Sequence, residues 1–186
     1  SGTPDFRNIY RYDKLNRLTE VIQTNQVGGN QVLPKRVTMA YNAMGQRTQI
    51  ARFQSTGTAN SVATTDFTYD TANRLSGIAH KQGATNLNTY AYTYDPLSRL
   101  ASVESTIDGL TSYNYNQNDE LQGASNTGAA NESYGYDANG NRNTNGFTTA
   151  SDNRMTASRG FTYLYDNEGN LIRRTNTISG AFTTYT

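Results

Sequence analysis

The chain has 186 residues and a formal net charge of +1, from 16 Lys and Arg against 15 Asp and Glu. This balance argues against a nucleic-acid partner, which normally needs a concentrated basic surface. The absence of cysteine excludes a disulfide framework and thiolate metal sites. Leu, Ile, Val and Phe together number only 30 residues, whereas tyrosine alone contributes 14, so a compact globule with an aliphatic core is not expected.

Short runs of alternating aromatic and polar residues recur along the chain and predict strands. In chain order the clearest runs are 9–12, 67–69, 90–94, 113–115 and 161–165. Weaker apolar patterning follows at 18–21, 75–78, 100–103 and 171–172. Apolar residues three and four apart over several turns, which a helix would need, are missing. No run approaches the roughly 18 apolar residues of a membrane-spanning helix, so membrane insertion is not expected.

The same short phrase ends seven of the predicted strands. It consists of Tyr, then Asp or Asn, two variable positions, a small polar residue or Gly, and finally Arg, Asn, Gln or Glu. The tyrosines are Tyr12, Tyr41, Tyr69, Tyr94, Tyr115, Tyr136 and Tyr165. They are 29, 28, 25, 21, 21 and 29 residues apart, and a period in the twenties indicates a repeat architecture.

Each phrase predicts a hairpin tip. The residue after the tyrosine has a short side-chain acceptor that can cap the amides of a turn; these residues are Asp13, Asn42, Asp70, Asp95, Asn116, Asp137 and Asp166. Three residues later comes a type that tolerates the left-handed conformation ending a type I turn with a G1 bulge. This set contains Asn16, Gly45, Asn73, Ser98, Asp119, Gly140 and Gly169.

Arginine recurs just after the tips, at Arg17, Arg47, Arg74, Arg99, Arg142 and Arg154. We expect these side chains to stack on a tyrosine ring or to pair with a turn carboxylate. An eighth, degenerate tip is predicted at 149–155, where the Tyr-Asp pair is lost but Asn153-Arg154-Met155 keeps the later part of the pattern.

Gly-bearing turns lie between successive tips. Asp108-Gly109 and Asn145-Gly146 predict type I′ turns, in which both central residues have positive φ, and a further turn is expected at 57–60. Each repeat is therefore predicted to be a pair of antiparallel strands.

The phrases at 12–18, 69–75 and 136–142 resemble the YD repeats of the rearrangement hotspot (Rhs) family, and the resemblance extends from about Ile9 to about Arg174. This family includes bacterial polymorphic toxins, a component of insecticidal toxin complexes, and the animal teneurins. The resemblance implies a long β-sheet wound into a hollow shell, which in bacterial members encloses a C-terminal toxin polypeptide. It also implies secretion or display at a bacterial cell surface.

The fold expected is all-β, with antiparallel β-hairpin repeats forming a curved, open, spiralling sheet. Residues 1–8 are interpreted as a cloning remnant or a partial strand, and 9–186 as a single domain of about seven to eight repeats. The expected function is a structural, non-catalytic segment of a shell that encloses or displays a toxin. Its expected partners are the rest of the shell polypeptide and the toxin, with edge-to-edge self-association at exposed strand edges.

Candidate chemistry is sparse, and neither a cofactor nor a metal is expected. His80 is interpreted as a solvated loop histidine beside Lys81. Residues 137–141 resemble the start of a calcium loop, but their glycine and the twelfth position do not fit an EF-hand. Asp95-Pro96 lies in an ordinary repeat, so self-cleavage of the chain is not expected at this pair. The alternative function is a carbohydrate- or receptor-binding surface adhesion module, because exposed tyrosines beside polar amides suit sugars.

Overall fold

The computed structural model describes residues 4–57 and 61–185. Throughout this part the chain forms β-strands joined by turns and contains no helix. The expectation of an all-β fold made of antiparallel hairpins is therefore confirmed. The turn expected at 57–60 lies mostly outside the described residues, as do the first three residues of the segment 1–8. β1 begins at Phe6, within that segment.

The chain divides into two compact units, 1–110 and 111–186. In the first unit, eight strands pair antiparallel with their neighbours in chain order. They are β1 (Phe6–Tyr12), β2 (Leu18–Asn25), β3 (Lys35–Tyr41), β4 (Arg47–Phe53), β5 (Ala63–Tyr69), β6 (Leu75–Gln82), β7 (Thr85–Tyr94) and β8 (Leu100–Ser105). This order is the simplest that consecutive hairpins can produce.

In the second unit, three strands pair in chain order: β9 (Gly109–Tyr115), β10 (Leu121–Asn126) and β11 (Glu132–Ser133). A further five form an open sheet, again in chain order: β12 (Thr148–Thr149), β13 (Met155–Ser158), β14 (Phe161–Tyr165), β15 (Leu171–Asn176) and β16 (Phe182–Thr184). Between β11 and β12 the chain forms a tip held by a single bridge, Tyr136 to Arg142. The sheet of this unit is thus interrupted at that tip.

Strand register separates large from small side chains in the middle of β5, β6 and β7. Phe67 lies opposite Ile78, which lies opposite Tyr90. One residue further along, Gly77 lies between Thr68 and Ala91. Because successive side chains of a strand point to opposite faces, one face here carries large apolar groups and the other carries small ones. A Cβ atom on Gly77 would come within 2.7 Å of the Thr68 hydroxyl, which accounts for glycine at this position.

Little of the sheet is buried. Within the described ranges, the buried hydrophobic residues are Ile22, Ala51 and Ala124, and no large side chain is fully buried. Most strand residues are half-buried. A sheet of this kind is stabilised by cross-strand pairs and by hydrogen bonds between repeats, rather than by a central core.

The turns between tips follow the sequence only in part. Asn145 and Gly146 both have positive φ, 56° and 82°, as predicted. At Asp108-Gly109 only the glycine has positive φ, 81°, so the prediction of a type I′ turn is wrong there. The Ser105 hydroxyl accepts hydrogen bonds from the amides of Ile107 and Asp108, at 3.2 and 3.1 Å, and so stabilises a longer turn that the Asp-Gly pair alone does not predict.

Candidate functional site

The phrase at 69–75 forms a hairpin tip closed by two backbone hydrogen bonds. The Asp70 amide donates to the carbonyl of Arg74 at 2.8 Å, and the Asn73 amide donates to the carbonyl of Asp70 at 3.0 Å. Asn73 has φ of 63°, and the strand register shifts between Thr68 and Tyr69. This geometry is a type I turn followed by a G1 bulge.

The same backbone arrangement recurs at the other six phrases, with equivalent pairs of hydrogen bonds. The residue at the bulge always has positive φ: Asn16 59°, Gly45 82°, Ser98 63°, Asp119 64°, Gly140 81° and Gly169 90°. Three of these six residues, like Asn73, carry a side chain, which makes the left-handed conformation costly outside a turn that stabilises it.

An aspartate carboxylate accepts hydrogen bonds from the amides and the arginine of its own tip. One oxygen of Asp70 accepts from the amides of Ala72 and Arg74 at 2.9 and 2.8 Å, and the other accepts from Nε of Arg74 at 2.8 Å. The bond from the Arg74 amide is the main cause that holds the pKa of Asp70 below its ordinary 3.8; desolvation opposes it, and the guanidinium adds to it. Asp13 with Arg17 and Asp95 with Arg99 make the same contacts.

Where asparagine replaces the aspartate, its partner changes with it. Asn42 accepts from the amides of Met44 and Gln46 and donates from Nδ2 to Oε1 of Gln46 at 2.7 Å. Asn116 pairs in the same way with Glu120. An aspartate at the first tip position is thus paired with a hydrogen-bond donor four residues later, whereas an asparagine there is paired with a hydrogen-bond acceptor. We did not identify this complementarity from the sequence, although both residues of each pair are visible there.

The degenerate phrase at 149–155 also forms a tip. The Ala150 amide donates to the carbonyl of Arg154 at 2.8 Å, and Asn153 has φ of 63°. This tip has no aspartate at its first position, and Asp152 binds the arginine instead. Nε and Nη2 of Arg154 both contact the carboxylate of Asp152. The side-chain hydrogen bond from Arg154 is the main cause that lowers the pKa of Asp152.

Tyrosine hydroxyls connect successive repeats. Each donates to the carbonyl of the first strand residue after the preceding tip. The bonds run from Tyr41 to Leu18 at 2.8 Å, Tyr69 to Arg47 at 2.8 Å, Tyr94 to Leu75 at 2.8 Å, Tyr136 to Leu121 at 3.0 Å and Tyr165 to Met155 at 2.9 Å. The tyrosine of the phrase is therefore both a ring on the sheet and a link to the repeat before it.

The last residue of the phrase makes a link in the other direction. The guanidinium of Arg74 lies 4.4 Å from the ring centroid of Tyr94, and its Nη1 donates to the Ser98 hydroxyl at 2.9 Å. Arg17 stacks on Tyr41 and Arg154 on Tyr165 in the same sense. The arginine thus pairs with the carboxylate of its own tip and stacks on the tyrosine of the next, so the two expected contacts occur together.

The sequence profile of the family described as Teneurin YD-shell matches residues 4–183. The chain belongs to the teneurin YD-shell family. No curated protein matches it.

Solved structures share the YD-shell fold with this chain at low sequence identity. The crystal structure of TcdB2-TccC3 without the hypervariable C-terminal region matches with a TM-score of 0.65 and 17% identity, over 94% of this chain and 11% of that one. The Tc holotoxin pore of Photorhabdus luminescens matches with a TM-score of 0.63 and 16% identity, over 90% and 11% of the two chains. The complex TcdB2-TccC3-Cdc42 gives 0.62 and 17%, over 90% and 11%. This YD-shell chain thus spans about a tenth of the length of the chains it matches.

His80 is not a loop residue of this YD-shell chain, and that prediction is wrong. It lies in β6 (Leu75–Gln82), where its Nδ1 is 3.1 Å from the Thr65 hydroxyl and its ring meets Tyr90 edge-on. The same hydroxyl accepts from Nη1 of Arg52 at 3.0 Å. The strand continues past the short apolar run that predicted it, because it pairs along its whole length with β5 and β7.

The calcium-like residues form an ordinary YD tip. The carboxylate of Asp137 accepts from the amides of Asn139 and Asn141, both at 2.9 Å, and from Nδ2 of Asn141. These bonds, chiefly that from the Asn141 side chain, lower the pKa of Asp137. Across 4–57 and 61–185 no group of three His, Asp or Glu side chains is placed to hold a metal ion. The same residues contain no helix long and apolar enough to cross a membrane.

Proposed function

We propose that this chain is a non-catalytic wall segment of a YD-repeat shell that encloses or displays a toxin polypeptide. The observation that carries the proposal is the engagement of the phrase residues with one another. The tip carboxylates, the arginines and the tyrosine hydroxyls bond within their own tip or to the adjacent repeat. Their recurrence is therefore explained by mechanical connection of repeats, without a substrate.

The thinness of the sheet supports the same role. With few buried side chains in the described residues, each repeat depends on its neighbours for stability. A continuous surface made of such repeats is suited to separating two spaces. We propose accordingly that 9–186 acts as one repeat domain, and that its partners are the rest of the same shell polypeptide and the toxin.

The relatives guide the proposed location. The structures that match include a Tc holotoxin pore, TcdB2-TccC3, and TcdB2-TccC3 without the hypervariable C-terminal region. By analogy we propose that the parent protein is bacterial and is secreted or displayed at the cell surface. We further propose that the segment enclosed by the shell is a part of the parent protein other than these 186 residues.

Limited proteolysis of the full-length parent protein tests the wall function. In the wild type, the segment attached to the repeats should resist protease until the shell is unfolded. Asn73→Val, which strains one tip, should speed cleavage of that segment, whereas Thr71→Ala at an exposed position of the same tip should not. Equal cleavage rates in wild type and denatured protein would refute enclosure. Binding to a glycan array by the folded chain, lost on unfolding, would favour the adhesion alternative.

A further inference from the structure

One arginine of the repeats lies in an environment unlike that of the others. Arg142 occupies the position directly after the sixth phrase, where the sheet of the second unit is interrupted. In five other repeats this position is a leucine: Leu18, Leu75, Leu100, Leu121 and Leu171. In the second repeat it is Arg47, which is exposed. The same position therefore holds one exposed arginine and one half-buried arginine.

The guanidinium of Arg142 lies over two aromatic rings. Its central carbon lies 4.5 Å from the ring centroid of Tyr134 and 4.3 Å from that of Phe147. Nε and Nη2 are buried, and the described residues provide neither with a hydrogen-bond acceptor. Stacking on two rings satisfies the faces of the cation, but it leaves two charged donors in its plane without a partner. Buried donors in this state are rare in folded proteins.

The unpaired edge is the one that binds carboxylates elsewhere in this chain. In the first tip, Nε and Nη2 of Arg17 both lie 2.7 Å from one oxygen, Oδ2, of Asp13, because Oδ1 accepts from the amides of the turn. A carboxylate with no other partner can instead place one oxygen opposite each of the two parallel N–H groups. A carboxylate is also flat, so it can lie in the plane of the guanidinium between the rings of Tyr134 and Phe147, where a tetrahedral phosphate fits less well.

The carboxylate of the same tip is not available to Arg142. Asp137 is engaged with the amides and the Asn141 side chain of its own turn. The ligand must then come from elsewhere. Its approach requires only a local opening, because the flanking strands β11 and β12 have two residues each, and short, sparsely paired segments open most easily.

We propose that Arg142 is the receptor for a carboxylate, which inserts between the rings of Tyr134 and Phe147 and pairs with Nε and Nη2. Two sources share this chemistry, namely an Asp or Glu side chain of a polypeptide and a small free carboxylate. The site has no counterpart at the other described tips, where leucine, methionine or an exposed arginine occupies the position.

The test uses this chain with two carboxylate probes, sodium acetate and N-acetyl-glutamate N-methylamide, and compares them with sodium phosphate and with sodium chloride at equal ionic strength. Wild type should show a probe-dependent rise in Tm and a shift of the Arg142 Nε–H resonance. Arg142→Leu, which installs the residue found in five other repeats, should lose both. Arg47→Leu is the matched control and should respond like wild type. Loss of one charge-assisted pair corresponds to a weakening of Kd by at least about tenfold.

The outcomes separate clearly. An equal Tm rise in Arg142→Leu, or an Nε–H resonance that does not move at saturating probe, would overturn the proposal. If Arg142→Leu fails to fold, Arg142→Lys keeps the charge but lacks the paired N–H edge, and it should bind at least about tenfold more weakly. A response to the glutamate derivative well above that to acetate identifies a polypeptide side chain as the ligand, and equal responses identify a small carboxylate. A stronger response to phosphate than to either probe would contradict the planar fit.

Discussion

The tip at 69–75 and the degenerate tip at 149–155 reach the same backbone geometry with different side chains. Both have a residue of φ 63° at the bulge and the same closing hydrogen bonds. In the first, Asp70 caps two amides and binds the arginine. In the second, Ala150 stands in its place, and Asp152 holds the arginine from two positions later. The comparison indicates that the bulge residue determines the tip, while the carboxylate reinforces it and can move.

The largest effect should come from the bulge residue itself. Replacing Asn73 with Val forces a β-branched residue into the left-handed region, so the free energy of unfolding should fall by about 1–2 kcal/mol. Asn153→Val should cost a similar amount, because the two tips share this feature. Urea denaturation measures both, with Thr71→Ala as the control. If both variants are as stable as the parent, the bulge residue does not determine the tip.

Moving the carboxylate should have the next largest effect. Asp70→Ala removes the acceptor of two amides and the partner of Arg74, so Tm should fall by a few degrees. Adding Ala72→Asp to that variant places the carboxylate where the degenerate tip has it, and it should recover part of the loss. The two variants are compared by thermal melting. No recovery would mean that the carboxylate of the degenerate tip is incidental.

Acidic pH should destabilise the tips. The pKa of Asp70 is lowered in the folded chain from its ordinary 3.8, as are those of Asp13, Asp137 and Asp166. A lowered folded pKa contributes stability that is fully present above the unfolded value and is lost as pH falls through the folded value. The free energy of unfolding should therefore fall below about pH 4. It should fall less steeply with pH in the Asp70→Ala variant. Parallel curves from urea melts at pH 2 to 6 would contradict this assignment.

The links between repeats should give a smaller effect. Tyr94→Phe removes the hydrogen bond to the carbonyl of Leu75 but keeps the ring beneath Arg74, so it should cost about 1 kcal/mol. Tyr10→Phe removes an exposed hydroxyl that accepts a long hydrogen bond, 3.5 Å, from Nδ2 of Asn8 in the same strand, so it should be nearly neutral. Chemical denaturation compares the two. A loss of the same size in Tyr10→Phe would show that the bond between repeats is not what the hydroxyl contributes.

The fold was largely predictable because its turns require particular residues. Asn and Gly at fixed positions after tyrosine indicate positive φ at Asn73 or Gly140 without knowledge of tertiary contacts. His80 was misplaced because pairing with both neighbouring strands, a non-local effect, extends β6 beyond its apolar run. The burial of Arg142 could not be predicted, since Arg47 occupies the same position in an almost identical phrase and lies in solvent. What distinguishes Arg142 from Arg47 is its contact with the aromatic rings of Tyr134 and Phe147.

The tyrosine hydroxyl bonds have a direction with respect to biosynthesis. Every donor lies later in the chain than its acceptor, as with Tyr41 and Leu18 or Tyr94 and Leu75. A hairpin leaving the ribosome therefore finds its carbonyl acceptor already displayed by the hairpin made before it. The hydroxyl bonds can therefore form progressively from the amino-terminal side as the chain is translated, whereas an arginine stack such as that of Arg74 on Tyr94 waits for the next repeat.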